Sequence, residues 1–163
     1  MKRALILLLV AATPAFAAEI TRDAVIAAMN SSRAKFDLPP LREDARLDAA
    51  AEDRMRDMED LGYWNHESPD GRSPFTWLPL HGYLFERAGE NLATGFETNE
   101  LLVSSWMESP GHRENILSPD YTDCGVALVD GAPMRRAPGK SVVVLFGRPK
   151  PISAHAATPK SRP

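Results

Sequence analysis

Two motifs between Arg87 and Leu117 determine the fold prediction for this chain: Gly89-Glu90-Asn91-Leu92-Ala93 and Trp106-Met107-Glu108-Ser109-Pro110-Gly111-His112-Arg113-Glu114-Asn115-Ile116-Leu117. In the first motif, Glu90 follows a glycine and precedes an apolar run, which predicts a strand entered from a tight turn. In the second, Pro110-Gly111 should end the preceding helix, because proline cannot continue a helix and glycine readily adopts positive φ. His112 would then be held on rigid backbone. With His66 upstream, the chain offers two histidines and a carboxylate that could converge on one site.

Residues 1–17 have the pattern of an export signal. Lys2 and Arg3 form a basic start, and the apolar run from Ala4 to Ala12 is too short to span a bilayer. Ala15-Phe16-Ala17 is a small-x-small cleavage pattern. No later stretch is apolar enough to span a membrane. We therefore expect a mature chain that begins at Ala18, has no transmembrane segment and is exported to the periplasm or the extracellular space.

The composition limits the class of protein. The chain has 163 residues, enough for one domain with a proper core. Its net charge of −3 becomes about −5 when Lys2 and Arg3 leave with the signal, which argues against nucleic acid as the main partner. Cys124 is the only cysteine, so the fold contains no internal disulfide. A small buried thiol in an apolar strand is the simpler interpretation of Cys124, and pairing with another molecule is the alternative.

Hydrophobic periodicity predicts both helices and strands. Helical spacing of apolar residues indicates helices over residues 21–36, 43–61, 73–81 and 98–109. Alternating or continuous apolar patterns indicate strands over residues 85–94, 124–129 and 141–147. Residues 130–140 are predicted to form a long hairpin loop, and residues 149–163 a disordered tail rich in Pro, Ala, Ser and Lys. This order of elements indicates an α+β layered domain.

Two of the predicted helices have a clear buried face. In the helix over 98–109, Trp106 shares a face with Leu102, which predicts that the indole lies in the core. In the helix over 43–61, Asp, Glu and Arg residues occupy one face. The apolar stripe on the other face consists of Leu47, Ala51, Met55, Met58 and Leu61.

The candidates for chemistry are His66, Glu90 and His112. His66 lies in a loop, where it could be a ligand, a base or a side chain that caps backbone. Glu90 lies in a predicted strand, where a buried carboxylate needs a histidine, a metal or backbone N–H groups as partner. Two neutral imidazoles and a carboxylate would make a zinc site with open positions for water. The same set could hold a hydrolytic water with Glu90 as base. The remaining histidines, His81 and His155, are assigned to a helix end and to the tail.

Further motifs accompany the first two: Asn30-Ser31-Ser32-Arg33, Leu38-Pro39-Pro40-Leu41, Tyr63-Trp64-Asn65-His66-Glu67-Ser68-Pro69-Asp70-Gly71 and Gly82-Tyr83. In this order they resemble the bacterial branch of the CAP superfamily. This is the cysteine-rich secretory protein, antigen 5 and pathogenesis-related protein group, also called the SCP domain. The resemblance covers about Ile20 to Arg148, nearly all of the mature chain.

The resemblance implies a three-layer α-β-α sandwich with a central antiparallel sheet, and a solvent-facing cavity lined by a His, Glu, Glu, His tetrad. On this sequence the tetrad corresponds to His66, Glu90 and His112. The position of the remaining glutamate is occupied by Ser109, and Glu108 lies one residue away. In relatives the two histidines can bind a divalent cation, often zinc, so His66 and His112 are the expected metal ligands. The resemblance implies no single reaction, because fold alone does not give function.

Three hypotheses for function follow. The preferred one is a monomeric, exported, non-enzymatic domain that binds a divalent cation at His66 and His112, with Glu90 orienting an imidazole. Its cavity would receive a small ligand, such as a lipid, or a cell-envelope component. The second hypothesis is a metal-assisted hydrolase with Glu90 as general base. The third is a polar cluster of the same residues that holds loops together and binds nothing.

Overall fold

The computed structural model of the protein describes residues 19–132 and 135–151. The predicted export signal and most of the predicted tail, including His155, lie outside these residues. Within the described ranges, no helix is long and apolar enough to cross a bilayer.

Within residues 19–132 and 135–151, five helices precede or separate the strands: α1 (Arg22–Ala34), α2 (Ala45–Leu61), α3 (Trp77–Leu80), α4 (Asn99–Glu108) and α5 (Pro110–Leu117). Side-chain caps explain where three of them begin. Thr21, Asp44 and Thr98 have extended backbone, and each side chain accepts a hydrogen bond from an N–H of the first turn. The helix α2 ends at Gly62, whose φ of 65° places it in the left-handed region. The predicted helices over 21–36, 43–61 and 98–109 are therefore confirmed.

In the part of the chain that the structure describes, four strands form one sheet: β1 (Arg42–Glu43), β2 (Phe85–Phe96), β3 (Asp123–Ala132) and β4 (Arg135–Pro149). Their order is β1-β3-β4-β2, which makes β2 an edge strand. The β2–β4 and β3–β4 pairs are antiparallel, and the two-residue β1 runs parallel to β3.

The strand β4 is buried on both faces and separates two core clusters. Val142, Val144 and Phe146 pack with α1, α4 and α5, while Val143 and Leu145 pack with α2 and α3. Successive side chains of a strand point to opposite faces, so a continuous apolar run is expected for a strand covered on both sides. This arrangement confirms the α+β class and the α-β-α sandwich.

The core confirms several individual predictions. Trp106 and Leu102 are buried together in the α1–α4–α5 layer, and Cys124 is fully buried in β3. Burial raises the pKa of the Cys124 thiol to about 12. A neutral, enclosed thiol favours the simpler interpretation of this residue over intermolecular pairing.

Two predicted element boundaries and one predicted buried residue, Leu61, were wrong. Both strands of the β3–β4 hairpin extend far into residues 130–140, because Asp130 still pairs with Lys140 and Ala132 with Arg135. The third helix begins at Trp77 and not at Ser73, since residues 74–76 form turns. Leu61 is 49% exposed because it is the last residue of α2, where the helix has passed the edge of its packing partners.

The Ser109-Pro110-Gly111 segment ends one helix and begins another. Ser109 has extended backbone, with φ −93° and ψ 120°, and Pro110 is the first residue of α5. Proline is favoured at this position because its fixed φ suits the first turn and its missing N–H has no intrahelical partner to lose. The prediction that α4 stops here is confirmed, but His112 lies in the first turn of α5 and not in a loop after the helix end.

Candidate functional site

His66 and Glu90 form the centre of the site. The Nδ1 atom of His66 lies 2.8 Å from Oε1 of Glu90. The carboxylate is enclosed, with 2% of its side chain exposed, whereas the His66 side chain is 56% exposed. Because a carboxylate accepts, Nδ1 carries the donated proton and Nε2 of the neutral ring keeps its lone pair. The hydrogen bond to Glu90 raises the pKa of His66 above 6.5, against smaller opposing effects of burial and of Arg54.

Arg54 binds the other side of Glu90 and was not predicted to belong to the site. Its Nε donates to Oε2 of Glu90 at 2.9 Å, and the side chain is fully buried. The charged residues of α2 were all assigned to the solvent face, but Arg54 lies one turn from both Ala50 and Met58, which are in the core. This spacing could have indicated that Arg54 is buried, because residues four apart lie on the same helix face. A buried carboxylate in a neighbouring strand is the partner that such an arginine requires.

His112 approaches the site from the other helical layer. Its ring is half-buried, and its centroid lies 6.3 Å from the Trp106 ring at an interplanar angle of 48°. Burial lowers the pKa of His112 below 6.5, and the nearby positive charge on protonated His66 lowers it further. Protonation of His66 therefore disfavours protonation of His112.

Two asparagines fasten α5 to β2 and thereby fix His112 relative to Glu90. Asn91 Nδ2 donates to the His112 carbonyl at 3.1 Å. Asn115 Nδ2 donates both to the Glu90 carbonyl at 3.0 Å and to Asn91 Oδ1 at 2.9 Å. Both asparagines belong to the motifs that indicate the fold, but neither was predicted to have a role in the site. Their positions could have indicated such a role, because Asn91 directly follows Glu90 and Asn115 lies three residues after His112.

Gly89 allows this close approach. A Cβ at Gly89 would lie 2.6 Å from the Tyr121 hydroxyl and 2.9 Å from Asn115 Oδ1. The predicted tight turn at Gly89 was wrong, because β2 runs without interruption from Ala88 to Ala93 in register with β4. The glycine is needed for space and not for turn geometry.

The fourth tetrad position has no glutamate. Ser109 is half-buried at the junction of α4 and α5, and its side chain makes no capping bond to α5. Glu108 is exposed and lines a cavity of about 440 Å³ with Phe96 and Leu101. A larger groove of about 580 Å³ lies between α1 and α4. Neither cavity is lined by His66, Glu90 or His112.

The donor atoms limit which metal ion the site fits. Within the part of the chain that the structure describes, no group of three or more His, Cys, Asp or Glu side chains is arranged to hold a metal ion. Both oxygens of Glu90 are engaged, by His66 and by Arg54. The remaining donors are the Nε2 of His66 and the ring of His112. Two imidazoles alone would suit a weakly held divalent cation whose other ligands are waters, and not a closed structural zinc site.

Comparison with known sequences now identifies the family. The profile of the CAP, or cysteine-rich secretory protein, family matches residues 26–145. The chain belongs to the CAP family.

Among curated proteins it is similar to the uncharacterized protein YkwD of Bacillus subtilis (strain 168), with 42% identity over 106 residues, which are 65% of this chain and 41% of YkwD. It is also similar to the uncharacterized membrane protein YlbC of the same organism, with 32% identity over 61% of this chain and 29% of YlbC. The chain thus spans less than half the length of these relatives.

Solved structures agree with the CAP assignment. An extracellular protein containing an SCP domain from Bacillus anthracis str. Ames superimposes with a TM-score of 0.66 and 28% identity, over 78% of this chain and 40% of that one. An outer surface protein from Borrelia burgdorferi gives a TM-score of 0.68 over 83% of this chain and 100% of its own, at 22% identity. The second similarity concerns the fold alone.

Proposed function

We propose that this CAP domain binds a divalent cation, with zinc as the best candidate, through His66 and His112, and that it is not an enzyme. The observation that carries the proposal is the 2.8 Å contact between His66 Nδ1 and Glu90 in a ring that is itself 56% exposed. Such a carboxylate orients the imidazole, makes it a better donor and leaves Nε2 free for the cation. When bound, the cation supplies a positive charge with exchangeable waters.

The surroundings of Glu90 argue against the hydrolase alternative. A general base must reach the proton that it removes, directly or through one water. Glu90 has 2% of its side chain exposed, and each of its oxygens already accepts a hydrogen bond. It is therefore suited to orient His66 and poorly placed to activate a water. Assays with peptide and ester substrates, with and without zinc, test this: turnover that is lost in Glu90→Gln would favour the hydrolase.

Calorimetry on the mature chain without a histidine tag tests cation binding. We expect zinc to bind the wild type at neutral pH, and His66→Ala and His112→Ala each to abolish binding. Glu90→Gln should weaken binding by roughly 10–100-fold because His66 loses its orienting partner. His81→Ala is the matched control, since His81 is half-buried and its Nε2 contacts Asp53 rather than Glu90. Absence of zinc binding to the wild type would favour the polar-cluster hypothesis.

The fourth tetrad position is tested in the same experiment. Glu108→Ala should leave the zinc affinity unchanged, because Glu108 is exposed and lines a separate cavity. Ser109→Ala should change it less than Glu90→Gln does. A loss for Glu108→Ala as large as that for Glu90→Gln would instead assign Glu108 the role of the missing glutamate.

We also propose that the chain is exported and binds a cell-envelope component or a small ligand outside the cytoplasm. The pattern of residues 1–17 supports export, as does the similarity to an extracellular protein containing an SCP domain. Intact-mass measurement of the exported protein should give an N-terminus at Ala18. A mass that retains Met1 or Lys2 would contradict the cleavage. A native mass spectrometry screen of the mature protein, with and without zinc, tests for the ligand.

A further inference from the structure

We infer that Arg54 is a positioning residue for His66: one guanidinium holds both the carboxylate behind the imidazole and the backbone just before it. The inference concerns the metal-free protein, and only its last test rests on the proposed function.

The first contact of Arg54 fixes the carboxylate. Arg54 Nε binds Oε2 of Glu90 at 2.9 Å, and His66 Nδ1 binds Oε1 at 2.8 Å. Each oxygen has its own partner, so rotation of the carboxylate would break both contacts. In an enclosed site water is not available to replace these two hydrogen bonds, so together they keep the carboxylate in one orientation. Arg54 therefore holds the carboxylate in the orientation that presents an acceptor to Nδ1 of His66, and this contact keeps the ring proton on Nδ1.

The second set of contacts fixes the loop that carries His66. Arg54 Nη2 donates to the carbonyl of Asn65, and Nη1 donates to the hydroxyl of Tyr63. Asn65 Oδ1 in turn accepts from the backbone N–H of His66 at 2.7 Å. The Cα of His66 is thus tied to the same side chain that orients its hydrogen-bond acceptor.

The environment of Arg54 makes this arrangement specific to arginine. The guanidinium carbon lies 5.4 Å from the centre of the Trp77 ring and 5.3 Å from that of Tyr63. A planar fork with five donors can reach three acceptors at once, and its flat faces pack against aromatic rings. A lysine at this position would keep the charge but could not hold Glu90, Tyr63 and Asn65 in fixed geometry.

The test reads the imidazole tautomer of His66 by long-range ¹H–¹⁵N NMR on the metal-free mature protein, above the pH range in which His66 titrates. In the wild type we expect the proton on Nδ1. In Arg54→Lys and Arg54→Met we expect a shift toward the Nε2–H tautomer or exchange between the two. Arg33→Lys is the matched control, because Arg33 is also buried but donates to backbone carbonyls such as those of Pro39 and Ile116. It should leave the His66 signals unchanged.

The outcomes separate this inference from the proposed function. A wild-type His66 with its proton on Nε2, or a folded Arg54→Lys variant with the wild-type tautomer, would overturn the role of Arg54. Should Arg54→Met fail to fold, the lysine variant decides. For zinc, we expect Arg54→Lys to lose roughly 10-fold or more in affinity. If zinc does not bind the wild type, the proposed function fails, while the tautomer result still decides the role of Arg54.

Discussion

His66 and His112 are the same residue type, yet their surroundings move their pKa values in opposite directions. His66 donates to a carboxylate, which stabilises the protonated ring, whereas His112 is enclosed beside Trp106 and has no carboxylate partner among its described contacts. Over an interval of pH around 6.5 the first ring is therefore charged and the second is neutral. A cation must displace a proton from His66 but not from His112.

NMR titration of the metal-free protein should resolve this difference. We expect His66 to titrate above pH 6.5 and His112 below it. In Glu90→Gln the pKa of His66 should fall, since the partner that favours the charged ring is gone. The raised pKa also means that protonated His66 stabilises the fold below its unfolded-state pKa, and that this contribution is lost as pH rises through the folded-state value. Equal pKa values for the two histidines would contradict the assigned contacts.

At the scale of elements, local chemistry predicted the helix starts well and the tertiary contacts poorly. The helices predicted over 21–36 and 98–109 begin at the caps Thr21 and Thr98, because a cap needs only a side chain and the next few residues. Arg54 was missed because its partner Glu90 is distant in sequence. The extension of β3 and β4 into residues 130–140 was missed because Gly and Pro there signal a loop, while pairing between the two strands overrides that local preference.

Trp106 joins α4 to the edge strand, and its removal should be costly. The indole is 2% exposed, and its Nε1 donates to the Leu92 carbonyl at 3.2 Å. Trp106→Ala should lower the free energy of unfolding by about 3–5 kcal/mol, measured by urea denaturation. Leu101→Ala on the same helix is the control, since Leu101 is 61% exposed and its loss should change stability by about 0.5 kcal/mol or less. Similar effects for the two variants would show that the buried face of α4 has been assigned incorrectly.

Asp48 joins α2 to β3 and should make stability depend on pH. Its Oδ1 accepts from the Val126 N–H at 2.8 Å, beyond the end of the two-residue β1. Burial raises the pKa of Asp48 from 3.8 to about 6, although Val126 and Arg22 favour the ionised form. A carboxyl with a raised folded-state pKa stabilises the fold when protonated, and this contribution is lost as pH rises from about 4 to about 6.

Asp48→Asn tests this pH dependence, because the amide oxygen can still accept from Val126 while the side chain cannot ionise. As pH rises from 4 to 7, the wild type should lose stability relative to Asp48→Asn. The free energy of unfolding of the variant minus that of the wild type should therefore increase by up to about 3 kcal/mol. Urea denaturation at both pH values measures it. A difference that does not change with pH would show that Asp48 titrates normally in the folded protein.

At the scale of the whole molecule, the site forms where both helical layers meet the edge of the sheet. Leu92 packs with the α2 layer and Ala93 with the α1–α4–α5 layer, so β2 presents alternate residues to each. Glu90 accordingly meets Arg54 of α2, and Asn91 meets α5. The resemblance of the motifs to the CAP family predicted the fold and the pairing of His66 with Glu90 in one site. The sequence alone could not predict which layer supplies each partner, since that depends on the strand's register.

The C-terminal limit of the domain follows from the last contacts of β4. Pro149 pairs with Phe85, and the Lys150 N–H donates to the Leu84 carbonyl at 2.8 Å. Truncation after Pro151 should therefore leave the melting temperature unchanged, as expected for a tail without apolar periodicity. Truncation after Arg148 removes this hydrogen bond, worth about 0.5–1.5 kcal/mol, and should lower the melting temperature by roughly 2–6 °C. Differential scanning calorimetry of both truncations compares them directly. Equal melting temperatures would show that Lys150 contributes nothing, and a large loss after Pro151 would mean that residues 152–163 pack against the domain.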